Sequence, residues 1–211
     1  MNAPRSSASA GVWSAGGHAP RQRISDDRIA ELVLEAAAGD QASWDALVEQ
    51  FTGLLWAVVR AYRLGDADAA DVVQETWLRL VESLDKLHDP ARVGGWLATT
   101  ARRECMRVLR ARQRQVPVGD EAVDQVSPDL PPGESLIMME RHEAVWRGFS
   151  SLRDRDQALL RLLIAEPSPT YEEISAALGM PIGSIGPSRQ RALERLRRAL
   201  RSQRAMALLA E

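Results

Sequence analysis

The sequence predicts an all-α protein built as two small helical domains joined by a flexible acidic linker. Three observations predict it. Apolar residues recur at helical spacing through most of the chain, and no run alternates as a half-buried strand does. Helix starts and stops are marked by Ser, Asp and Gly at the expected places. One stretch, "QVPVGDEAVDQVSPDLPPGES", breaks the pattern with four prolines and five acids. Little apolar periodicity survives there, so residues 114–136 read as a linker.

The elements follow in order. Residues 1–24 are rich in Ala, Ser and Gly and lack a continuous apolar core. They are expected to be a disordered tail and not a signal peptide. Ser25 and Asp26 then precede Ile29, Leu32 and Val33, which share one helical face. Gly39-Asp40 ends that helix. Trp44, Leu47, Val48, Phe51, Leu55, Val58 and Tyr62 carry a longer one to Gly65. A third helix is expected from about Asp68 to Leu87. "HDPARVGG" reads as a loop, and a fourth helix runs from about Trp96 to Arg112. Together these form a first domain, 25–113. Past the linker, a second domain, 137–205, opens with helices near Leu136–Phe149 and Arg153–Ile164. "EPSP" is a turn, and two more helices meet at "LGMP".

Composition narrows the function. The formal net charge of the 211 residues is only -2, but the charges are segregated. Residues 102–114 hold six arginines and one acid, and residues 189–204 hold seven and one. Acids gather at 66–89 and 120–143. Separate faces for separate partners are the simplest reason for such sorting. Lys86 is the single lysine against 26 arginines, a bias expected of a GC-rich genome. Cys105 stands alone, which excludes an internal disulfide framework. No run of about 18 apolar residues suggests a membrane span, so no membrane contact and a cytoplasmic location are expected. His18, His88 and His142 are far apart, and no phosphate-binding glycine loop occurs. No metal, cofactor or catalytic residue is expected.

Two motifs carry chemistry. "YEEISAALGMPIGSIGPSRQRAL" reads as helix-turn-helix. Ile174, Ala177 and Leu178 form an inner face, and Gly179 supplies a left-handed turn residue. Ser184 is an N-cap candidate. Pro187 then falls in the first turn, where a missing N–H costs nothing. At 100° per residue, Ile185, Ala192, Leu193, Leu196, Ala199 and Leu200 share one face of the last helix. Ser184, Pro187, Ser188, Arg191, Arg195 and Arg198 lie opposite. An apolar face for a core and an arginine face for anions suit a helix lying in a DNA major groove. The second motif, "WLATTARRECMRVLRARQR", sets Arg102, Arg103, Arg107, Arg110 and Arg114 beside an apolar side. Such a helix can track a single strand, and Trp96 can stack on a base. On the preceding helix, Asp71, Glu75, Leu78, Glu82 and Asp85 make a stripe opposite Val73, Trp77 and Leu80. With no basic residue read on it before Lys86, this stripe suits a basic partner.

Taken together, these segments resemble bacterial RNA polymerase sigma factors of the extracytoplasmic-function group, over about residues 25–205. "DADAADVVQETWLRLVESL" is similar to the helix that docks on core polymerase, and Asp71, Gln74, Glu75 and Leu78 match the docking positions. "GWLATTARRECMRVLRAR" is similar to the regions that open and read the −10 element. The resemblance implies −10 contacts by Trp96, Arg102, Arg103, Arg107 and Arg110. "LHDPARVGG" falls where the family captures a flipped base. The helix-turn-helix is similar to the −35 reader, with Ser184, Pro187, Ser188, Gln190, Arg191 and Arg195 as its contacts. Two departures stand out. Arg103 replaces an Asn common in the family, and Gly186 and Pro187 replace polar residues of the recognition helix. Implied partners are the clamp and flap of core polymerase, promoter DNA and an anti-sigma factor. An ordinary helix-turn-helix regulator leaves the acidic stripe and the second basic helix unexplained. A nuclease lacks a metal-ligand cluster.

Overall fold

The computed structural model describes residues 24–115 and 136–209. Of the expected tail (1–24) and acidic linker (114–136), residues 1–23 and 116–135 lie outside the described residues, while Arg114 and Gln115 end the fourth helix and Leu136 begins the fifth. Eight α-helices and no strand occur among the described residues: α1 Asp26–Ala37, α2 Gln41–Ala61, α3 Asp66–Val81, α4 Val93–Gln115, α5 Leu136–Ser150, α6 Asp154–Leu163, α7 Tyr171–Leu178 and α8 Ile185–Leu209.

Local chemistry sets the helix ends. Ser25 Oγ accepts from the Arg28 amide at 3.3 Å and caps α1. Asp40 Oδ2 accepts from the Ser43 amide at 2.7 Å and caps α2. Hydrogen bonding to Ser43 holds the Asp40 carboxyl below its ordinary range, as expected for an anion facing free helix donors. Thr170 and Glu173 form a reciprocal capping box at α7: the Thr170 amide donates to Glu173 Oε2 at 2.6 Å and the Glu173 amide to Thr170 Oγ1 at 3.0 Å. Gly179 ends α7 at φ 58°, ψ 47°, the left-handed geometry expected of it.

Two boundaries differ from the sequence expectation. The third helix stops at Val81. Ser83 leaves helical geometry at φ −122°, and a 3-10 turn over Leu84–Lys86 carries the chain on. The fourth helix starts earlier, at Val93, because the segment beginning at Pro90 is itself a 3-10 turn that feeds directly into it. Gly94 inside that start is required by close packing. A Cβ there would lie 2.5 Å from Glu173 Oε1 and 2.9 Å from Phe51 Cε1.

Helices α1–α4 wrap one apolar core containing Leu47, Leu55, Val58, Leu80, Leu97 and Ala101. That core does not end at the linker. Leu159 and Leu162 of α6, Ile174 and Ala177 of α7, Met180 and Ile185 belong to the same buried cluster. The α4–α7 pairing is the most extensive between described elements, and α2 also packs on α6. A smaller cluster of Leu152, Leu160 and Ala192, flanked by Phe149, Leu193 and Leu196, fixes α8 to the α5–α6 turn. Gln157 completes that turn by donating to the Ser150 and Leu152 carbonyls at 3.1 and 2.8 Å.

Candidate nucleic-acid interfaces

Three faces carry the residues singled out in the sequence. On α3, Val72, Val73, Thr76 and Leu80 are buried, and Trp77 meets Trp44 edge to face with ring centroids 5.8 Å apart. Asp71 and Gln74 are exposed on the other side. Leu78 is 52% exposed and Val81 54% exposed, so two large apolar side chains stand in water on one helix. Glu75 differs from its neighbours. It is paired with Arg79 at 3.0 Å, and Arg79 also reaches Glu104 on α4 at 3.1 Å. The expectation of a stripe free of basic residues up to Lys86 is therefore corrected: Arg79 stands one turn past Glu75 and neutralises it.

On α4 the arginines divide. Arg103 and Arg110 are exposed. Arg107 is held by Glu104 at 2.6 Å, and that hydrogen bond raises its pKa. Glu104 is nearly buried, its side chain 7% exposed, and the two guanidiniums compensate its charge. Arg112 pairs with Asp68 of α3 at 2.5 Å. Arg102 lies against α7: a Cβ built at Gly179 would sit 2.6 Å from its Nη2. Trp96 is half-buried and packs against the core. Cys105 is fully buried, and burial pushes its thiol up to about 12.

At the helix-turn-helix, Pro187, Gln190 and Arg191 are exposed, while Ser184 and Ser188 are partly covered. Ser184 directly precedes α8, as a cap should. Its hydroxyl, however, donates to the Pro181 carbonyl at 2.7 Å, stiffening the turn. Arg191 donates to Ser188 Oγ at 3.1 Å. Arg189, Arg191 and Arg197 line an open recess of about 850 Å³ along α8. Arg195 departs from the outward face expected for it. It donates to Asp156 of α6 at 2.6 Å, with side-chain exposures of 31% and 12%. The reason is angular: Arg195 lies about 40° from Ala199 and about 60° from Ala192, on the edge of the apolar stripe, and α6 brings the Asp156 carboxylate to that edge.

Sequence reasoning missed Tyr62, Arg79, Glu104 and Asp156 as organising residues. Two of them left signals: Glu104 is the one acid within the arginine run, and Arg79 follows Glu75 at i,i+4 spacing. The capping box was also legible as Thr170-x-x-Glu173. Among the described residues, no group of three His, Cys, Asp or Glu could hold a metal ion, and no helix is long and apolar enough to cross a membrane.

A helix-turn-helix with an arginine face, a second arginine helix and an exposed acidic–apolar face on α3 fit the class of multi-site DNA-binding proteins of the transcription machinery. Comparison with known proteins agrees. Residues 47–115 match the Sigma-70 region 2 family model. The chain is 31% identical over 180 residues to the ECF RNA polymerase sigma factor SigE of Mycolicibacterium smegmatis, spanning 82% of this chain and 68% of that one. It is 25% identical over 173 residues to the ECF RNA polymerase sigma-E factor of Escherichia coli K12, spanning 78% and 88%. Two solved structures share the fold. CnrH in complex with the cytosolic domain of CnrY aligns with TM-score 0.57 at 20% identity, covering 83% of this chain and 99% of that one. The sigma factor RpoE from Bartonella quintana, in complex with the anti-sigma factor NepR, aligns with TM-score 0.51 at 23% identity, covering 74% and 97%. The chain belongs to the extracytoplasmic-function group of RNA polymerase sigma factors.

Proposed function

We propose that this chain binds core RNA polymerase and directs promoter-specific initiation, with no catalytic step of its own. Residues 25–113 act as the unit that binds core and melts the −10 element, and residues 137–205 as the unit that reads the −35 element. Asp71, Gln74 and Leu78 dock on the polymerase clamp, with Glu75 held beside them by Arg79. Arg103 and Arg110 take the −10 strand, joined by Arg102, Arg107 and Trp96. Pro187, Ser188, Gln190 and Arg191 face the −35 duplex, Ser184 sets the turn, and Arg195 positions α8 through Asp156. The protein works in the cytoplasm, and an anti-sigma protein is its expected regulator.

One observation carries this reading. A single chain presents an exposed Leu78/Val81 pair beside acids on α3 and arginine faces on both α4 and α8. A stand-alone regulator has use for one DNA face and none for the α3 patch. Reconstitution with core polymerase tests it. Run-off transcription over a genomic promoter library should give a short set of shared −10 and −35 sequences, absent with core alone. Tight sequence-specific duplex binding by the free chain, with no transcription from core, would favour a polymerase-independent regulator.

A further inference from the structure

Two residues at the start of α8 are not explained by the fold. Gly186 lies in the first turn, its φ is outside the left-handed region, and no atom stands within 4 Å of a Cβ built on it. Alanine would fit there and would favour the helix. Gly148 of α5 is the contrast: a Cβ there would lie 2.9 Å from Leu200 Cδ2, so packing demands the glycine. Pro187 follows Gly186. The first turn can spare its N–H, yet its apolar ring is exposed. Both residues line the open recess of about 850 Å³ on α8.

The rest of the recess says what it suits. Gly186, Gln190 and Leu193 fall within about 60° of one another around the helix, so they form one strip, with Pro187 at its edge. Gln190 is exposed and is the one uncharged polar side chain lining the recess. The remaining lining side chains are arginines, which suit phosphates on either side. A carboxamide sets a donor beside an acceptor, which matches the N7 acceptor and N6 donor of adenine. Guanine offers two acceptors there. An exposed proline ring matches the thymine methyl, whereas cytosine would bring an N–H donor to a surface that cannot accept it. We propose that this recess is a base-reading subsite for A·T pairs of the −35 duplex, with Gln190 on adenine, Pro187 on a thymine methyl, and Gly186 bare so that the base edges come close. The proposal deepens the reading of α8 as the −35 helix and rests on it.

The test uses the chain assembled with core polymerase and a promoter duplex recovered from the run-off library, altered one chemical group at a time. Deoxyuridine in place of a −35 thymine removes only the methyl. Deaza-adenine in place of a −35 adenine removes only the N7 acceptor. Wild type should lose binding at least about threefold at one thymine and at least about fivefold at an adenine in the same pair or the adjoining one. Pro187→Ser should abolish the deoxyuridine penalty and keep the deaza-adenine penalty, and Gln190→Ala should do the reverse. Gly186→Ala should raise the melting temperature yet weaken −35 binding, a combination that a folding role does not give. The proposal is overturned if no −35 thymine responds to loss of its methyl, if the responding bases are further apart than adjoining pairs, or if either penalty survives in the variant that should abolish it. It is equally overturned if Gly186→Ala stabilises the chain at no cost in binding. Scrambling the whole −35 element separates the levels. Wild type indifferent to scrambling removes α8 as the −35 reader and the subsite with it. Dependence on the −35 element without the methyl and N7 penalties sinks the subsite and leaves the sigma-factor reading standing.

Discussion

Arg191 and Arg195 stand one turn apart on α8 and do different work. Arg191 is exposed and borrows only Ser188, so its guanidinium is available to DNA. Arg191→Ala should weaken use of the −35 element by about 1–3 kcal/mol if it reads a base, and less if it meets phosphate, with folding unchanged. Arg195→Ala removes the partner of Asp156, a largely buried carboxylate. Its loss should appear in urea denaturation, at about 1–3 kcal/mol once partial exposure is discounted. Asp156→Asn should restore part of that loss in the double mutant. A folding effect for Arg191 and none for Arg195 would reverse the two assignments. Cys105 makes the opposite case, a reactive group that burial silences. With its thiol near 12, only about 1 in 10⁴ is thiolate at pH 8. Native protein should resist iodoacetamide and label fully in denaturant. The sign for stability follows: the neutral thiol is favoured on folding, so this contribution is intact below pH 9 and is lost as pH rises toward 12.

Helix α3 shows how a face differs from a stripe of sequence. Asp71, Gln74 and Leu78 are exposed, whereas Glu75 is tied into the Arg79–Glu104–Arg107 network. A test of docking should therefore leave Glu75 alone. The pair Asp71→Arg and Leu78→Glu should keep the helical CD spectrum and lower core association at least about tenfold, which is 1.4 kcal/mol. Equal recovery of core polymerase by wild type and variant would return this face to ordinary solvated surface. Glu75→Arg is expected to damage folding as well, since it sets a third cation beside Arg79 and Arg107. Helix identity was largely legible in the sequence, because periodicity, caps and Gly179 all depend on residues close together in the chain. Boundaries at Val81 and Val93 were not. They depend on 3-10 turns whose i to i+3 bonds leave no apolar period to read.

At the scale of the molecule, the sequence separated residues 25–113 from 137–205, and it says nothing of how they meet. The apolar faces of α6 and α7 were visible as faces. Periodicity states that Ile174 and Ala177 are covered, not what covers them. In the structure the cover is α4 and the first-half core. For the same reason Arg102 looked equivalent to Arg103. Its distinction comes from Gly179, 77 positions away in the numbering, and no local pattern reaches that far. The free chain is expected to bind promoter duplex weakly. Addition of core should convert this to specific binding with strand opening, measurable by permanganate reactivity of unpaired thymines at the −10 element.

The eight residues of α7 are too few to be stable alone. They take their burial from α4 on one side and from α6 and the turn over Ile182–Ser184 on the other. Amide hydrogen exchange should register that debt. Backbone amides in the middle of α2 and α4 should exchange only when the first-half core unfolds. Those of α7 should exchange faster, at a rate set by separation of the two halves, and together with those of α6 as one cooperative unit. A single short helix would then act as the gauge of how often the molecule opens, readable at natural sequence and without a label.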